Sequence, residues 1–248
     1  MNRIKLLIEY DGTDYIGWQN QNNGRSIQQE IENCLNQIFD QNIRLYVSGR
    51  TDSGVHALGQ VAHFDLKDDK IKKENIFLAL NNYLKKRNNK ITILESRGVK
   101  DSFHSRFSAK KKIYLYKILN RKTPSHLLAN RTWFIPIKLD IKSMQISSKK
   151  LIGKYDFNAF RSVDCQAKTT IRSIENISIQ KKNDEINIRV SGKSFMHNQV
   201  RIIVGTLVNV GKGKLNEKKI TEILRSKDRR NAGPTAPACG LYLEKIFY

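Results

Sequence analysis

The residues best placed to do chemistry lie in Gly49-Arg50-Thr51-Asp52-Ser53-Gly54-Val55-His56, directly after a segment of alternating apolar residues. Glycines at 49 and 54 permit a tight backbone that lifts Asp52 clear of a strand end, where a lone carboxylate can act as nucleophile or base. Arg50, two residues earlier, could clamp that carboxylate and keep it ionised and oriented. The same spacing also suits an Asx-type turn with a surface ion pair, and local pattern does not separate the two. Other chemistries fit less well. The 5 histidines show no HxxxH or HExxH spacing, so no metal site is expected, and Asp68-Asp69 reads as a solvated, Lys-flanked turn. Between Gly205 and Gly211-Lys212 there is one residue too many for a phosphate loop, and the segment reads as a helix stopped by Gly211. Cys34, Cys165 and Cys239 stand far apart and suggest a reducing compartment rather than a disulfide framework.

Basic residues interleaved with aromatics point to a partner. Arg106 to Lys122 holds 7 basic residues and no acidic one, with Phe107, Tyr114 and Tyr116 among them. Phosphate neutralisation and base stacking need that combination. Tyr114 and Tyr116 share one strand face, so one or both could instead be core. A second stripe, Lys212 to Arg230, has 8 basic and 3 acidic residues. Over 248 residues, 45 Lys+Arg against 23 Asp+Glu give a net charge of +22, which favours a polyanion, nucleic acid before an anionic membrane surface. With 39% hydrophobic residues the chain can bury a core, and disorder is excluded as its overall state. The opening run Met1 to Ile8 is too short for a signal peptide, and Val200 to Val210 contains Arg201 and Asn209, so a cytoplasmic protein with no membrane partner is expected.

These residues need a scaffold. Residues 3–9 read as a strand, closed by the turn signal Asp11-Gly12. Ser26 with Gln29 forms a capping-box pattern, followed at helical spacing by Ile27, Ile31, Cys34, Leu35 and Ile38. Ile43, Leu45 and Val47 alternate as a second strand, and Ala62, Phe64 and Leu66 as a third. A helical stripe of Ile76, Leu80 and Leu84 and a strand at 90–95 complete a β-α-β-β-α-β order. The second half repeats it less cleanly, with strands near 109–119, 171–180, 185–194 and 241–247 and helices near 140–152 and 196–210. The expected fold class is therefore α+β, two ferredoxin-like (split β-α-β) halves, residues 1–105 and 106–248, with a ligand cleft between them.

Together these segments closely resemble the tRNA pseudouridine synthase A family, almost end to end. Tyr10-Asp-Gly-Thr13 with Tyr15 and Gly17-Trp-Gln19-Asn-Gln21 is similar to the family's opening signature, and Gly49 to Ala57 with Gly59-Gln-Val and His63-Phe64 to its active-site motif. Phe103 to Ala109 with Tyr114, Asp156-Phe157 with Ala159-Phe-Arg161, Phe195, Val200-Arg201 with Val204-Gly205, and Ala232-Gly233 through Ala238 with Gly240-Leu241 extend the likeness. Ser53 and Ser105 stand where the family commonly has alanine, Tyr155 where it has histidine, and Gln199 where it has methionine; these departures bear on fine substrate contacts.

The resemblance implies the pseudouridine synthase fold, with a central antiparallel or mixed sheet and a basic cleft, and an isomerase that converts uridine to pseudouridine in the tRNA anticodon stem-loop. It implies tRNA as partner, a homodimer, and no metal or organic cofactor. By carry-over, Asp52 is the catalytic aspartate, Tyr114 stacks on the target base, Arg50 holds the flipped-out conformation, Arg201 pairs with Asp52, and Leu241 packs against the base. Such a pairing would also account for an arginine amid Val200, Ile202, Ile203 and Val204, where a lone charge would be costly. Attack of Asp52 on C1′, attack on C6, and a glycal-like elimination all remain open. The alternative from another class is a non-catalytic RNA-binding protein or RNA chaperone with the same charge and aromatics. A metal-dependent nuclease would need clustered carboxylates, which the sequence does not offer.

Overall fold

The computed structural model describes residues 2–67 and 70–248; the Asp68-Asp69 turn lies outside the described residues. Along the chain run β1 (Asn2–Tyr10), α1 (Ile27–Phe39), β2 (Tyr46–Val47), β3 (His56–Leu66), α2 (Ile76–Lys86) and β4 (Ile91–Val99). They are followed by β5 (Lys111–Asn120), β6 (Trp133–Ile135), α3 (Ile141–Lys149), β7 (Gly153–Asp156), β8 (Ile171–Lys182) and β9 (Glu185–Gly192). The chain closes with α4 (Gln199–Gly211), α5 (Glu217–Ser226) and β10 (Leu241–Phe247). The fold is α+β, and no described helix is long and apolar enough to cross a membrane.

Two compact units form, residues 1–110 with 242–248, and residues 111–241. The sequence suggested halves of 1–105 and 106–248; the difference arises because the closing strand returns to the first unit. There β10 lies parallel to β3, with Tyr242 opposite His56 and Leu243 opposite Ala57. Antiparallel β1 and β4 follow on the other side of β3, giving the order β4-β1-β3-β10, with β2 alongside β3. Ile4, Leu6, Ile8 and Tyr10 alternate along β1 and are buried with the apolar stripes of α1 (Ile27, Ile31, Cys34, Leu35) and α2 (Ile76, Leu80, Leu84). The capping pattern at α1 is realised, since Ser26 Oγ accepts the Gln29 N–H at 3.2 Å.

The strand expected at 43–47 shrinks to Tyr46–Val47. Ile43 and Leu45 are buried as the alternation implies, but their N–H groups go to side chains of α1: Ile43 to Asn36 Oδ1 at 2.7 Å and Leu45 to Glu32 Oε1 at 2.8 Å. Satisfied backbone donors need no ladder.

In the second unit, β5, β9, β8 and β7 follow in that order, and β6 lies parallel to β5, pairing Ile118 with Trp133. Expected strands and helices appear close to their places, while β6 and β7, of three and four residues, carried too little alternation to be read. Helix α4 is buried nearly all round and begins at 199 because Asn198, at φ 59°, is left-handed. The basic stripe after it contains α5, whose Ile220, Ile223 and Leu224 face inward.

One buried cluster in the first unit gives stability a pH dependence. Central strand β3 is covered on its second face too, where His63 Nδ1 accepts the Ser105 N–H at 3.2 Å and its ring stacks on Tyr46 at 5.1 Å. Burial, the neighbouring His104 and Arg3 hold the His63 pKa down to about 4. An unfolded histidine titrates near 6.5, so between about 4 and 6.5 the unfolded chain binds more protons. Stability is then fully present above that window and lost as the pH falls through it. His104 is lowered also by burial and contributes in the same sense. Urea unfolding at several pH values is expected to show this slope, and His63→Gln to remove up to about 1.4 kcal/mol per pH unit of it.

Candidate active site

Asp52 is half-buried on the loop that leaves β2 and enters β3. The opening segment, residues 10–18, fixes that loop along its length. Tyr10 Oη and Thr51 Oγ1 are 2.7 Å apart, and Trp18 N–H donates to the Thr51 carbonyl at 3.0 Å. Gly17 and Asp52 form an antiparallel bridge, and Ser53 Oγ donates to the Tyr15 carbonyl at 3.2 Å. From β3, the Gln60 side-chain amide donates to the Gly49 carbonyl at 2.7 Å. Asp52 itself turns the chain, its carbonyl accepting the Val55 N–H at 3.2 Å.

Two glycines make this approach possible. A Cβ on Gly12 would lie 2.0 Å from the Val55 carbonyl oxygen. One on Gly17, at φ +112°, would lie 2.6 Å from the Thr51 carbonyl oxygen. Both are main-chain contacts that no side-chain rotation relieves. The opening signature is thus the cradle of the Asp52 loop, a role that its position some forty residues upstream concealed.

Neighbouring polar groups hold the cradle rather than react. Burial pushes the Tyr10 hydroxyl up to about 12, so it stays neutral and available to Thr51. His56, buried, receives the Gly12 N–H on Nδ1 at 3.0 Å and stacks on Tyr242 at 4.7 Å. An Asp11 carboxylate oxygen lies 3.2 Å from the same ring nitrogen. On its other side the segment is tied through Tyr15, whose hydroxyl donates to Asn89 Oδ1 at 2.9 Å and accepts the Lys90 N–H at 2.9 Å. Asn89 in turn donates to Glu30 Oε2 at 2.8 Å.

Of the residues singled out from the sequence, Asp52 and Arg50 belong to the first unit and Tyr114, Arg201 and Leu241 to the second. Arg50 is exposed. Arg201 sits in the first turn of α4, where its Nε donates to the Ala236 carbonyl at 2.7 Å and its Nη1 to Asn198 Oδ1 at 2.7 Å. Ala236 returns its own N–H to the Arg201 carbonyl at 3.2 Å. Residues 232–238 therefore form a strap across α4 that orients this arginine. In the sequence the signal of this segment is one glycine and two prolines in a stretch with no helical or strand period.

The two tyrosines of β5 part company. Tyr116 is fully buried, with its hydroxyl donating to the Pro237 carbonyl at 2.7 Å, and is core. Tyr114 is half-exposed, its ring edge-on to Phe195 at 5.2 Å. Leu241 is buried at the start of β10. Departures from the resembled pattern acquire contacts as well: Ser105 Oγ donates to the Tyr46 carbonyl at 2.6 Å, and Gln199 Oε1 accepts the Met196 N–H at 2.9 Å ahead of α4. Tyr155 is exposed on β7, edge-on to Phe157.

Comparison with known proteins gives one consistent result. A family model described as tRNA pseudouridine synthase matches residues 6–108 and 148–248. The chain is 46% identical over 250 residues to tRNA pseudouridine synthase A of Anaplasma phagocytophilum, covering 99% of this chain and 100% of that one. Proteins of the same name from Wolbachia pipientis, 46% identical over 247 residues, and Bartonella henselae, 43% identical over 248, are matched over 99% and 100% of this chain and over their whole lengths.

Proposed function

Because the chain belongs to the tRNA pseudouridine synthase family and is an isomerase that makes pseudouridine in tRNA, we propose that Asp52 is its nucleophile and that its targets are uridines of the anticodon stem-loop. The observation that carries the reading is the setting of Asp52: a half-buried carboxylate on a loop whose backbone is pinned before, at and after it. Pinning a nucleophile in advance removes the entropy of positioning it.

The reaction breaks the C1′–N1 bond, turns the uracil and joins C5 to C1′; C5 gives up its proton and N1 gains one. A carboxylate suits this because it can add to electron-poor sugar or base and later leave as a stable anion. A stem uridine must first leave its stack, which calls for an aromatic surface and a cation to hold the extruded conformation. In this reading Tyr114 stacks on the base, Arg50 holds the extruded nucleotide, Leu241 packs against the ring, and Arg201 pairs with Asp52. The strap supports the last role, since two fixed acceptors, Ala236 O and Asn198 Oδ1, orient the guanidinium. The protein works as a homodimer in the cytoplasm.

The test is tritium release from tRNA carrying 5-tritiated uridine, with sequencing of the product to place pseudouridine. Release confined to the anticodon stem-loop is expected. Binding without release would favour the RNA-chaperone alternative, and release from other arms would overturn the choice of target. Affinity for tRNA should also fall at least about 100-fold between 50 and 200 mM salt, as several phosphate contacts require. A filter-binding titration showing little salt dependence would remove the backbone-binding role of the +22 charge.

A further inference from the structure

Resting on that reading, we propose that Phe107, on the turn that joins β4 to β5, is a stacking platform for an unpaired base of the RNA substrate, separate from the site of the target uridine. Phe107 is 76% exposed, which is unusual for a large ring held so firmly. His104 Nδ1 accepts the N–H groups of both Arg106 and Phe107, at 3.1 and 3.4 Å, and Ser108 closes the turn by hydrogen bonds in both directions with the His104 backbone. Beneath it, Ser105 is anchored to Tyr46 and His63, and its carbonyl accepts the Tyr248 hydroxyl at 2.7 Å.

The ring continues an aromatic surface. Its centroid is 4.4 Å from His104, which is 5.9 Å from Tyr46, itself 43% exposed. The Arg106 guanidinium lies 5.7 Å from the Phe107 ring centre, and Lys110 and Lys111 follow. No carboxylate occurs between Asp101 and Asp140. A rigid exposed ring beside cations with no nearby acid in sequence suits a base and its phosphate. A second copy of this chain, also at +22, would meet like charge here.

The experiment compares full-length wild type with Phe107→Ala, Phe107→Leu and Phe107→Tyr, reading tRNA affinity by filter binding and turnover by tritium release. Alanine and leucine are expected to weaken binding by roughly 5- to 100-fold, as loss of one base stack does. The loss should fall on KM, with kcat at saturating tRNA kept within about threefold, and tyrosine should restore binding. Unchanged binding by Phe107→Ala overturns the proposal. So does leucine binding as well as tyrosine, which would mean an apolar contact. A binding loss that tracks a change in sedimentation assigns the ring to self-association and overturns it too. Failure of the Asp52 reading would show differently, as wild type that binds tRNA but releases no tritium.

Discussion

Asp52→Asn is expected to lower tritium release by at least about 10⁴-fold while leaving tRNA affinity within about threefold, a loss on the scale seen when other enzymes lose their nucleophile. Asparagine keeps the volume of the side chain, and the loop keeps the bonds made by main-chain atoms of residues 49, 51 and 52 and by the side chains of Thr51 and Ser53. What it removes is the charge and the lone pair that attacks. If the carboxylate adds to sugar or base, no amide can replace it; if it assists elimination, the developing positive sugar loses its counter-ion. All three routes therefore predict the same loss. Thermal melting should stay within about 2 °C of wild type, since a half-exposed isosteric change away from the core costs little. Appreciable pseudouridine formation by the purified variant would remove Asp52 from the mechanism.

The second large effect is expected from a residue that touches no substrate. Gly205 lies inside α4, where glycine ordinarily costs about 0.5 to 1 kcal/mol relative to alanine, so Gly205→Ala should stabilise a free helix. Here the new Cβ would sit 1.9 Å from the Pro234 carbonyl oxygen. The strap must lift, and with it go the Gly233 N–H bond to Thr206 Oγ1 (2.9 Å) and the reciprocal bonds of Ala236 with Arg201. We expect destabilisation by about 3 kcal/mol, the upper range for overpacking, and a Tm lower by about 6 to 12 °C. At temperatures where the variant is still folded, kcat should fall at least about tenfold, because Arg201 loses the carbonyl that orients it. Melting by circular dichroism decides the sign: a Tm at or above wild type would mean that the strap does not press on α4.

Element order was legible in the sequence because α1, α2 and the long strands carry clean periods with caps or turns at their ends. The short pieces were not. Tyr46–Val47 is the visible remnant of an expected longer strand, since Asn36 and Glu32 on α1 intercept the Ile43 and Leu45 donors, a long-range choice that alternation does not encode. Asp52 stood out by its glycine-bracketed setting, and Arg201 by a charge in an apolar helix. Their supports did not stand out: Gly12 and Gly17 matter through main-chain contacts with residues some forty positions later, and Ala236 through a carbonyl that any residue possesses. Tyr114 and Tyr116 have the same type and the same face, and only tertiary packing separates the core ring from the open one.

Because β10 joins β3 only after the second unit has been made, the first unit is interrupted by 131 residues, 111 to 241. At about 5 to 20 residues per second, the ribosome needs roughly 7 to 26 s to cross that interval. Throughout it, His56 and Ala57, the first residues after the Asp52 loop, lack the strand that pairs with them and the Tyr242 ring that stacks on His56. The nascent chain thus carries an open strand edge beside an unfinished loop, and translation speed or a chaperone that covers that edge would govern how much of the protein reaches its finished form.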